Sequence, residues 1–384
     1  MEFMGYRRED GRIGIRNHVL VVSSVSCANG VVEAIGRALP DVVTVVHAYG
    51  CGYAGMEDFL NSYRVISGLA GGPNVGAVLF VGLGCEGMSA ERLAAEVQGK
   101  PVETLVVQKD GGSAATTAKG IEIATRFLAD LKRQERVPVP VSELVVGLEC
   151  GGSDAFSGIT ANPAVGVAAD YLVDEGATAI LSETTEMIGT AHILKRRGAT
   201  AELGEQVENL VNEHEKKVRE ALGERAGMVI APGNIEGGLS SITEKSLGCI
   251  TKAGSTPINE VVGYAERPTK QGLVIMDTPG YDIDSMAGMA GGGAQMIIFT
   301  TGRGSVAGFP AVPVIKVASN STMFGNMPGD MDVNAGTIAD GDRTLDEVGR
   351  EIFDYVLRTA SGLKTCAETN RSQPFNYLKQ GPTF

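Results

Sequence analysis

The chain has 384 residues, more than one ordinary domain of roughly 100–200 residues, so two domains are expected. Hydrophobic residues make up 43% and charged residues 21%, a composition typical of a folded globular protein. Acidic residues outnumber basic ones by 46 to 33, and the formal net charge is −13. Because no Lys/Arg-rich run offers a phosphate-binding stripe either, nucleic acid is not expected as a partner.

The sequence also predicts a cytoplasmic protein without a membrane partner. No apolar run approaches the roughly 20 residues that span a bilayer, and the first residues, MEFMGYRREDGRIG, are polar. Six cysteines without a close CxxC pair fit neither a disulfide framework nor a zinc finger, so free thiols are expected. The 52 glycines cluster in loops and suggest backbone that is held close to a ligand.

Apolar runs of strand length alternate along the chain with segments of helical periodicity. Their continuous hydrophobicity is typical of strands that are covered on both faces. The predicted strands are 18–25, 42–49, 75–84, 103–109, 143–149, 178–183, 272–278, 295–301 and 312–319. The predicted helices are 31–39, 89–98, 117–133 and 204–222, and a capping-box pattern at 241–244 begins another. The alternation predicts an α/β fold with mainly parallel sheets flanked by helices.

The fold is therefore expected to be Rossmann-like, but without a dinucleotide fingerprint, because no GxGxxG follows the first strand. A P-loop and a GxSxG elbow are also absent. The stretch 132–143, KRQERVPVPVSE, combines charge with two prolines and reads as an extended linker. It divides the chain into a first α/β domain, 1–136, and a C-terminal α/β domain, 137–384, which is expected to be catalytic.

Residues that immediately follow the predicted strands are the candidates for the active site, because ligands bind at the carboxyl ends of parallel strands. Carboxylates there are costly unless they are paired or coordinate a metal, so Glu86, Glu183 and Glu186 predict metal ligands, general bases or partners of arginine. Glu149 can still lie within its strand. Other strand-end candidates are Ser153, Asp154, His192, Thr301, Arg303 and Asn320.

Four cysteines occupy similar strand-end positions: Cys27, Cys51, Cys85 and Cys150. Each is either a small buried hydrophobe or a ligand, and the sequence leaves both interpretations open. His47 and Cys51 bracket a turn and can bind one metal ion, although His47 can also be a core histidine. Cys249 and Cys366 lack this context and are interpreted as structural.

Arginines offer candidate anion-binding groups. Arg303 lies between two glycines and can grip a carboxylate or phosphate, or form a loop salt bridge. The N-terminal segment is by default a solvated charged hook. Its residues Arg12, Arg16 and Asn17 can instead close over an anionic substrate.

Several long strings together resemble the altronate and galactarate dehydratase family of sugar-acid hydro-lyases. They are GYRREDGRIGIRNH (5–18), GLGCEG (82–87), LECGGSDAFSGITANPAVG (148–166), LSETTEMIGTAH (181–192), MDTPGYD (276–282) and FTTGRGS (299–305). The resemblance implies removal of a proton α to a carboxylate and loss of the β substituent, giving a 2-keto-3-deoxy acid. It also implies a divalent metal, iron or manganese.

That chemistry needs a base, an acid and cations that stabilise the aci-carboxylate. Base or acid is expected among Glu183, Glu186, His192 and Lys245, with Arg303 and the metal as electrophiles. The metal ligands are expected among His47, Cys51, Cys85, Glu86 and Cys150. An iron–sulfur cluster on Cys51, Cys85 and Cys150 is an alternative cofactor.

Long members of the family begin with a small domain of roughly a hundred residues, which the resemblance places before GYRREDGR. A separate small subunit is therefore an expected partner, together with further copies of this chain in a homo-oligomer. Split versions of this architecture include the large subunit of (2R)-sulfolactate sulfo-lyase, which expels sulfite instead of water. Elimination of sulfite thus remains the alternative reaction, and a catalytically silent binding module is the alternative of another class.

Overall fold

The computed structural model describes residues 1–223 and 229–384. The strands, in chain order, are β1 (Glu2–Arg7), β2 (Ile13–Gly14), β3 (His18–Ser23), β4 (Val43–Val45), β5 (Val75–Gly82), β6 (Val102–Val106), β7 (Val137–Pro140), β8 (Val145–Cys150), β9 (Thr178–Leu181), β10 (Ile258–Val262), β11 (Gly272–Met276), β12 (Met296–Thr301), β13 (Val314–Ala318) and β14 (Val333–Asn334).

The helices are α1 (Asn29–Ala38), α2 (Met56–Gly71), α3 (Ala90–Glu96), α4 (Gly112–Leu131), α5 (Ala161–Asp174), α6 (Ala191–Lys195), α7 (Ala201–Leu222), α8 (Pro232–Glu236), α9 (Ile242–Cys249), α10 (Asp282–Gly291), α11 (Ser321–Asn326), α12 (Leu345–Ala360) and α13 (Cys366–Thr369). Across the described residues, no helix combines the length and the apolar character needed to cross a bilayer.

Two parallel sheets dominate the fold. The first contains four strands in the order β4-β3-β5-β6, and the second contains seven in the order β10-β11-β9-β8-β12-β13-β14. Strands β5, β8, β9, β11, β12 and β13 are almost completely buried, because helices cover both faces of each sheet. The prediction of an α/β fold with mainly parallel sheets flanked by helices is confirmed.

Each parallel sheet has a point at which the chain order reverses. The reversal falls between β3 and β5 in the four-stranded sheet and between β8 and β12 in the seven-stranded sheet. Such switch points open crevices at the carboxyl ends of the strands, where ligands bind in α/β proteins. The cysteine-bearing loops after β3 and β5 and the glycine-rich loops after β8 and β12 therefore flank these two crevices.

The stretch predicted as a linker contains a strand. β7 pairs antiparallel with β1, and β1 also pairs with β2, so that the N-terminal hook and the stretch 137–140 form a small sheet. Alternating prolines are tolerated there because β7 is an edge strand. The division into 1–136 and 137–384 stays a prediction.

A helix pair joins the two parallel sheets. A Cβ on Gly68 of α2 would lie 2.1 Å from the carbonyl oxygen of Gly291 in α10, so the C-terminal parts of the two helices touch. The first turns of both helices bind one segment of the C-terminal tail: Asn376 donates to Asp284, and the Gln380 amide donates to Asp58. The two helices therefore run side by side, with their N-termini at the carboxyl edges of the two sheets.

Candidate active site

Ionisable side chains are buried together where β8 and β9 end. β8 closes with Glu149 and Cys150, and Glu183 follows β9 after a single serine. Helix α9 and the turn after it add Lys245 and Lys252. Because burial of a charge is costly without a partner, the contacts of each group decide its charge state.

Glu183 is held in an unusual backbone conformation, with φ at 66°. Its amide donates to the Thr278 hydroxyl at 2.7 Å, and its Oε2 accepts from the Cys150 amide at 2.9 Å and from Lys252 Nζ at 2.7 Å. No described residue donates to its buried Oε1. Burial and the neighbouring Glu186 raise the pKa of Glu183 to about 7, although Lys252 opposes this. Strained, buried carboxylates of this kind cluster at functional sites.

Glu186 is the ionised member of the cluster. Lys245 pairs with its Oε1, and the Cys150 thiol donates to its Oε2 at 2.8 Å. Burial alone would raise the pKa of Glu186, but Lys245 and Lys252 hold it below its usual value. Despite burial, Glu186 also raises the pKa of Lys245, which stays protonated.

Two further groups of the cluster have raised pKa values. The hydrogen bond to Cys249, with the sulfur atoms 3.7 Å apart, and burial raise the pKa of Cys150 well above its usual value. Burial and repulsion from Glu183 likewise raise the pKa of Glu149. Glu149 Oε2 accepts from the hydroxyl of Ser285 at 2.7 Å. Its buried Oε1 has no partner among the described residues.

A cavity of about 290 Å³ opens beside this cluster. Backbone at Gly151, Gly152 and Gly280 forms part of its wall. Its charged lining residues are Glu186, Lys245, Asp282 and Arg303. Because two cations and two carboxylates face one space, the cavity can bind a small anion and can also accept a proton from it.

Asp282 begins α10 and lies against the loop after β8. A Cβ on Gly151 would come 2.1 Å from Asp282 Oδ2, so only glycine permits this approach. Burial and the charge of Glu186 raise the pKa of Asp282 to about 6. A carboxylate with that pKa is ionised at pH 7 yet basic enough to take a proton, the property that a general base requires.

The loops after β8, β12 and β13 are fixed by one carboxylate. Asp154 accepts hydrogen bonds from Ser157, from the Ser319 hydroxyl at 2.7 Å and from Asn320 Nδ2 at 3.0 Å. Asn320 also donates to the Gly302 carbonyl at 3.0 Å. Asp154 therefore positions the loop that carries Arg303, rather than facing the 290 Å³ cavity.

The other predicted site residues near the cavity differ in what they contact. Ser153 and Asp154 line a second cavity of about 250 Å³, which Lys245 also borders. The Ser153 hydroxyl is buried and has no partner in the described part of the chain. Thr301 is buried and accepts from the amides of Gly304 and Ser305, so its side chain shapes the arginine loop. Arg303 pairs at 3.0 Å with the exposed Glu236.

Four further predicted site residues have no contact with the 290 Å³ cavity. His192 is exposed on α6, and Arg12 pairs with Asp10. Arg16 pairs with Glu368 and donates to the carbonyls of residues 15, 359 and 363, which anchors the C-terminal part of the chain. Asn17 donates to the carbonyl of residue 131. Their predicted roles in catalysis and substrate binding stay predictions, without a contact to the cavity.

The predicted metal ligands fall into two groups. Cys150 belongs to the buried cluster, whereas His47, Cys51, Cys85 and Glu86 lie at the carboxyl edge of the four-stranded sheet. Burial lowers the pKa of His47 to about 4, and its Nε2 lies 2.9 Å from the Ser23 carbonyl. Its Nδ1 lies 3.2 Å from the hydroxyl of Tyr377. The core-histidine interpretation therefore fits His47 better than the metal-ligand interpretation.

Two sets of ligand atoms in the described structure are compatible with a metal ion. One is Cys150, Glu183, Glu186 and Cys249, and the other is Glu149, Glu183 and Asp282, each with its ligand atoms within 4.8 Å of one another. Glu183 belongs to both sets. Its Oε1 accepts no hydrogen bond from any described residue, so this oxygen is free to bind a metal ion. The residues present thus fit a divalent ion next to Glu183.

Four residues of this region were not predicted as site residues from the sequence. Lys252 is a single lysine in an otherwise unremarkable turn, and Cys249, interpreted as structural, contacts Cys150. Asp282 was noted only as the last residue of the string MDTPGYD. Lys316 is fully buried inside β13, where a lysine interrupts an apolar run; its Nζ lies 3.4 Å from the ring centre of Phe299, and burial lowers its pKa to about 7.

Comparison with known proteins gives the family of the chain. Residues 5–132 match the model of the D-galactarate dehydratase/altronate hydrolase second domain, and residues 141–383 match that of the D-galactarate/altronate dehydratase C-terminal domain. The chain belongs to the galactarate/altronate dehydratase family. The family resemblance read from the sequence strings, and the lyase class that it implied, are confirmed.

Three relatives illustrate the range of the family. Galactarate dehydratase (L-threo-forming) of Escherichia coli is 39% identical, and the match covers 94% of this chain and 73% of that protein. Altronate dehydratase of Bacillus subtilis is 34% identical, covering 100% of this chain and 78% of that protein. The (2R)-sulfolactate sulfo-lyase subunit beta of Chromohalobacter salexigens is 34% identical, covering 95% and 94%.

Proposed function

We propose that this chain dehydrates a sugar acid of the altronate or galactarate type to a 2-keto-3-deoxy acid. The observation that carries the proposal is the 290 Å³ cavity, in which the carboxylate of Asp282 and the cations of Lys245 and Arg303 face the same space. Elimination next to a carboxylate needs both a base and cations, and the names of the dehydratase relatives describe this reaction.

Substrate orientation is assigned to the cations. Arg303 presents a planar guanidinium that can bind a carboxylate through two parallel hydrogen bonds. Lys245 stays protonated and supplies a second positive charge at the cavity wall. As the proton next to the carboxylate leaves, negative charge builds up on its oxygens, and these cations stabilise that charge.

Proton transfer is assigned to Asp282. The carboxylate takes the proton on the carbon next to the substrate carboxylate, and the electron pair of that bond forms the C=C double bond. The bond to the β hydroxyl breaks, and the proton held by Asp282 passes to the departing hydroxide. One water is thus released, and the enol product tautomerises to the keto acid.

A divalent ion, iron or manganese, would be held by Glu183 together with Cys150, Glu186 and Cys249. It would supply positive charge beside the carboxylates of the site. Only Glu186 of these residues lines the cavity, since the other three are fully buried. An ion held by these four residues would therefore add positive charge to the site rather than bind the substrate directly.

The ion can be tested without turnover. Adding Mn²⁺ to the metal-free chain is expected to raise the thermal unfolding midpoint, because a ligand that binds only the folded state stabilises it. Glu183→Gln is expected to remove most of this shift, whereas Glu208→Gln, in the exposed ion pair with Lys195, keeps it. An equal Mn²⁺ shift in both variants would argue against the assignment of Glu183.

Elimination of sulfite is the second candidate, because the match to the sulfo-lyase subunit beta covers 94% of that protein. Its name also supports a separate small subunit as partner, which we propose together with a homo-oligomeric, cytoplasmic enzyme. Incubation with altronate, galactarate and (2R)-sulfolactate, with and without the small subunit, separates the two reactions. We expect keto acid from a sugar acid; sulfite from sulfolactate alone would contradict the dehydratase proposal.

A further inference from the structure

Three cysteines share one edge of the four-stranded sheet. Cys27 follows β3, Cys51 follows β4 and Cys85 follows β5, and these are neighbouring parallel strands. All three thiols are exposed, in contrast to the buried Cys150 and Cys249. Exposed free thiols are reactive and unusual on a protein surface, so three at one sheet edge call for a ligand.

Backbone contacts hold the three loops together. The Ser26 amide donates to the Tyr49 carbonyl at 2.8 Å, which joins the loops of Cys27 and Cys51. A Cβ on Gly50 would lie 2.3 Å from the Ser24 carbonyl oxygen, so these loops are in direct contact. The Ser24 hydroxyl donates to Glu86 at 2.7 Å, which joins the loop of Cys85 to the same segment.

Glu86 and His47, which lie near the three thiols, already have hydrogen-bond partners. Glu86 accepts from the Leu83 amide at 3.2 Å and from the Gly84 amide at 2.6 Å, which fixes the loop before Cys85. His47 is engaged through both ring nitrogens. Glu86 and His47 are therefore engaged, whereas the three thiols are free in the described part of the chain.

The three thiols do not form a close set of ligands for one ion. No three ligand atoms at this edge of the described structure approach within 4.8 Å of one another, as the atoms in the buried cluster do. A tetrahedral ion needs close ligands and usually four of them. An iron–sulfur cluster is also held by cysteine thiolates, and three cysteines follow neighbouring strands here. Cys27 and Cys85 also flank the switch point between β3 and β5.

The cysteine edge faces the same side of the molecule as the proposed active site. Adjacent residues of the C-terminal tail connect them: Asn376 donates to Asp284 in the first turn of α10, and Tyr377 contacts His47. Asp282 begins the same turn of α10. Parallel packing of α2 against α10 places both helix N-termini at this side.

We propose that Cys27, Cys51 and Cys85 bind a four-iron four-sulfur cluster, and that its iron without a protein thiolate faces the dehydration site. This deepens the proposed function, on which the second half rests. An open iron there would supply a Lewis acid for the β hydroxyl of the substrate, and Asp282 would return its proton to the hydroxide as that group leaves. The cluster is neither oxidised nor reduced in this elimination.

The first test measures the cluster itself. The full chain is purified without oxygen and reconstituted with Fe²⁺ and sulfide. About four irons and four sulfides per chain are expected, with broad visible absorption. Cys27→Ser, Cys51→Ser and Cys85→Ser are each expected to lose most of the sulfide, whereas the matched control Cys366→Ser, at the start of α13, retains it.

Unfolding midpoints of all four variants show whether each chain is folded. A colourless wild-type chain without bound sulfide would overturn the proposal. So would a triple serine variant that keeps its cluster. Keto acid formation by a colourless chain would overturn the cluster alone, whereas a clustered chain without turnover on any of the three acids would overturn the proposed function alone.

The second test addresses the open iron. The cluster is chemically reduced under conditions in which the enzyme does not turn over. Addition of galactarate is then expected to change the electron paramagnetic resonance spectrum of the cluster. Arg303→Met is expected to weaken that response, because the substrate carboxylate loses a cation at the cavity. An unchanged spectrum at saturating galactarate, altronate and sulfolactate would show that the cluster does not contact substrate, and would overturn the second half of the proposal.

Discussion

Asp282→Asn is expected to lower kcat for sugar-acid dehydration by about 10²–10⁴-fold, the usual contribution of a general base. The amide keeps the size of the side chain beside Gly151 but cannot accept the proton. In the wild-type chain, a base must be ionised to act, and burial raises the pKa of Asp282 to about 6. Activity should therefore fall as the pH drops through about 6, and a pH profile of kcat measures this.

A matched control separates this role from helix stability. Asp346→Asn changes a carboxylate in the first turn of α12, far from the cavity, and is expected to keep the activity and the acid limb. Asp282→Glu is expected to keep part of the activity that Asp282→Asn loses. The pH at which its kcat falls on the acid side should differ from that of the wild-type chain. An Asp282→Asn variant that turns over normally, with an unchanged pH profile, would remove Asp282 from the mechanism.

The sequence predicted much of the architecture because continuous apolar runs report burial on both faces. All nine predicted strands are present, within a few residues, and four predicted helices match α1, α3, α4 and α7. Helices α5 and α10 escaped prediction for a physical reason. Residues 285–291 of α10 are all buried, so the helix shows no polar face and its glycines look like a loop.

The sequence predicted which loops form the site, but not which of the side chains in those loops pair with each other. The strand-end rule selected Glu186 and Arg303, which line the cavity, and Glu183, which is buried beside Glu186, since parallel strands bring their carboxyl ends together. It could not separate the two sheets, so Cys51, Cys85 and Cys150 were grouped although they belong to different edges. Buried ion pairs also leave no local pattern, which is why Lys252 was missed.

Lys252→Met is expected to lower the free energy of unfolding by about 3–5 kcal/mol, because removing one partner leaves Glu183 buried without its ammonium group. Both side chains are fully buried, and the Nζ–Oε2 distance is 2.7 Å. Denaturant-induced unfolding at pH 7 measures the loss. Lys195→Met, which breaks the exposed pair with Glu208, is the comparison and should cost less than about 1 kcal/mol.

The pH dependence of that loss identifies its cause. In the wild-type chain Lys252 restrains the pKa of Glu183, which is still raised to about 7, so the lysine's removal raises it further. A carboxyl group whose folded pKa is raised stabilises the fold below its unfolded pKa, and that stability is lost as the pH rises through the folded pKa. The deficit of Lys252→Met should therefore be smallest below about pH 7 and grow as the pH rises above 7, because only the wild-type carboxyl has Lys252 beside it when it ionises. Adding Glu183→Gln should remove most of this growth above pH 7, because the carboxyl that titrates is gone. A double variant with the same pH dependence as Lys252→Met would trace the dependence to another group.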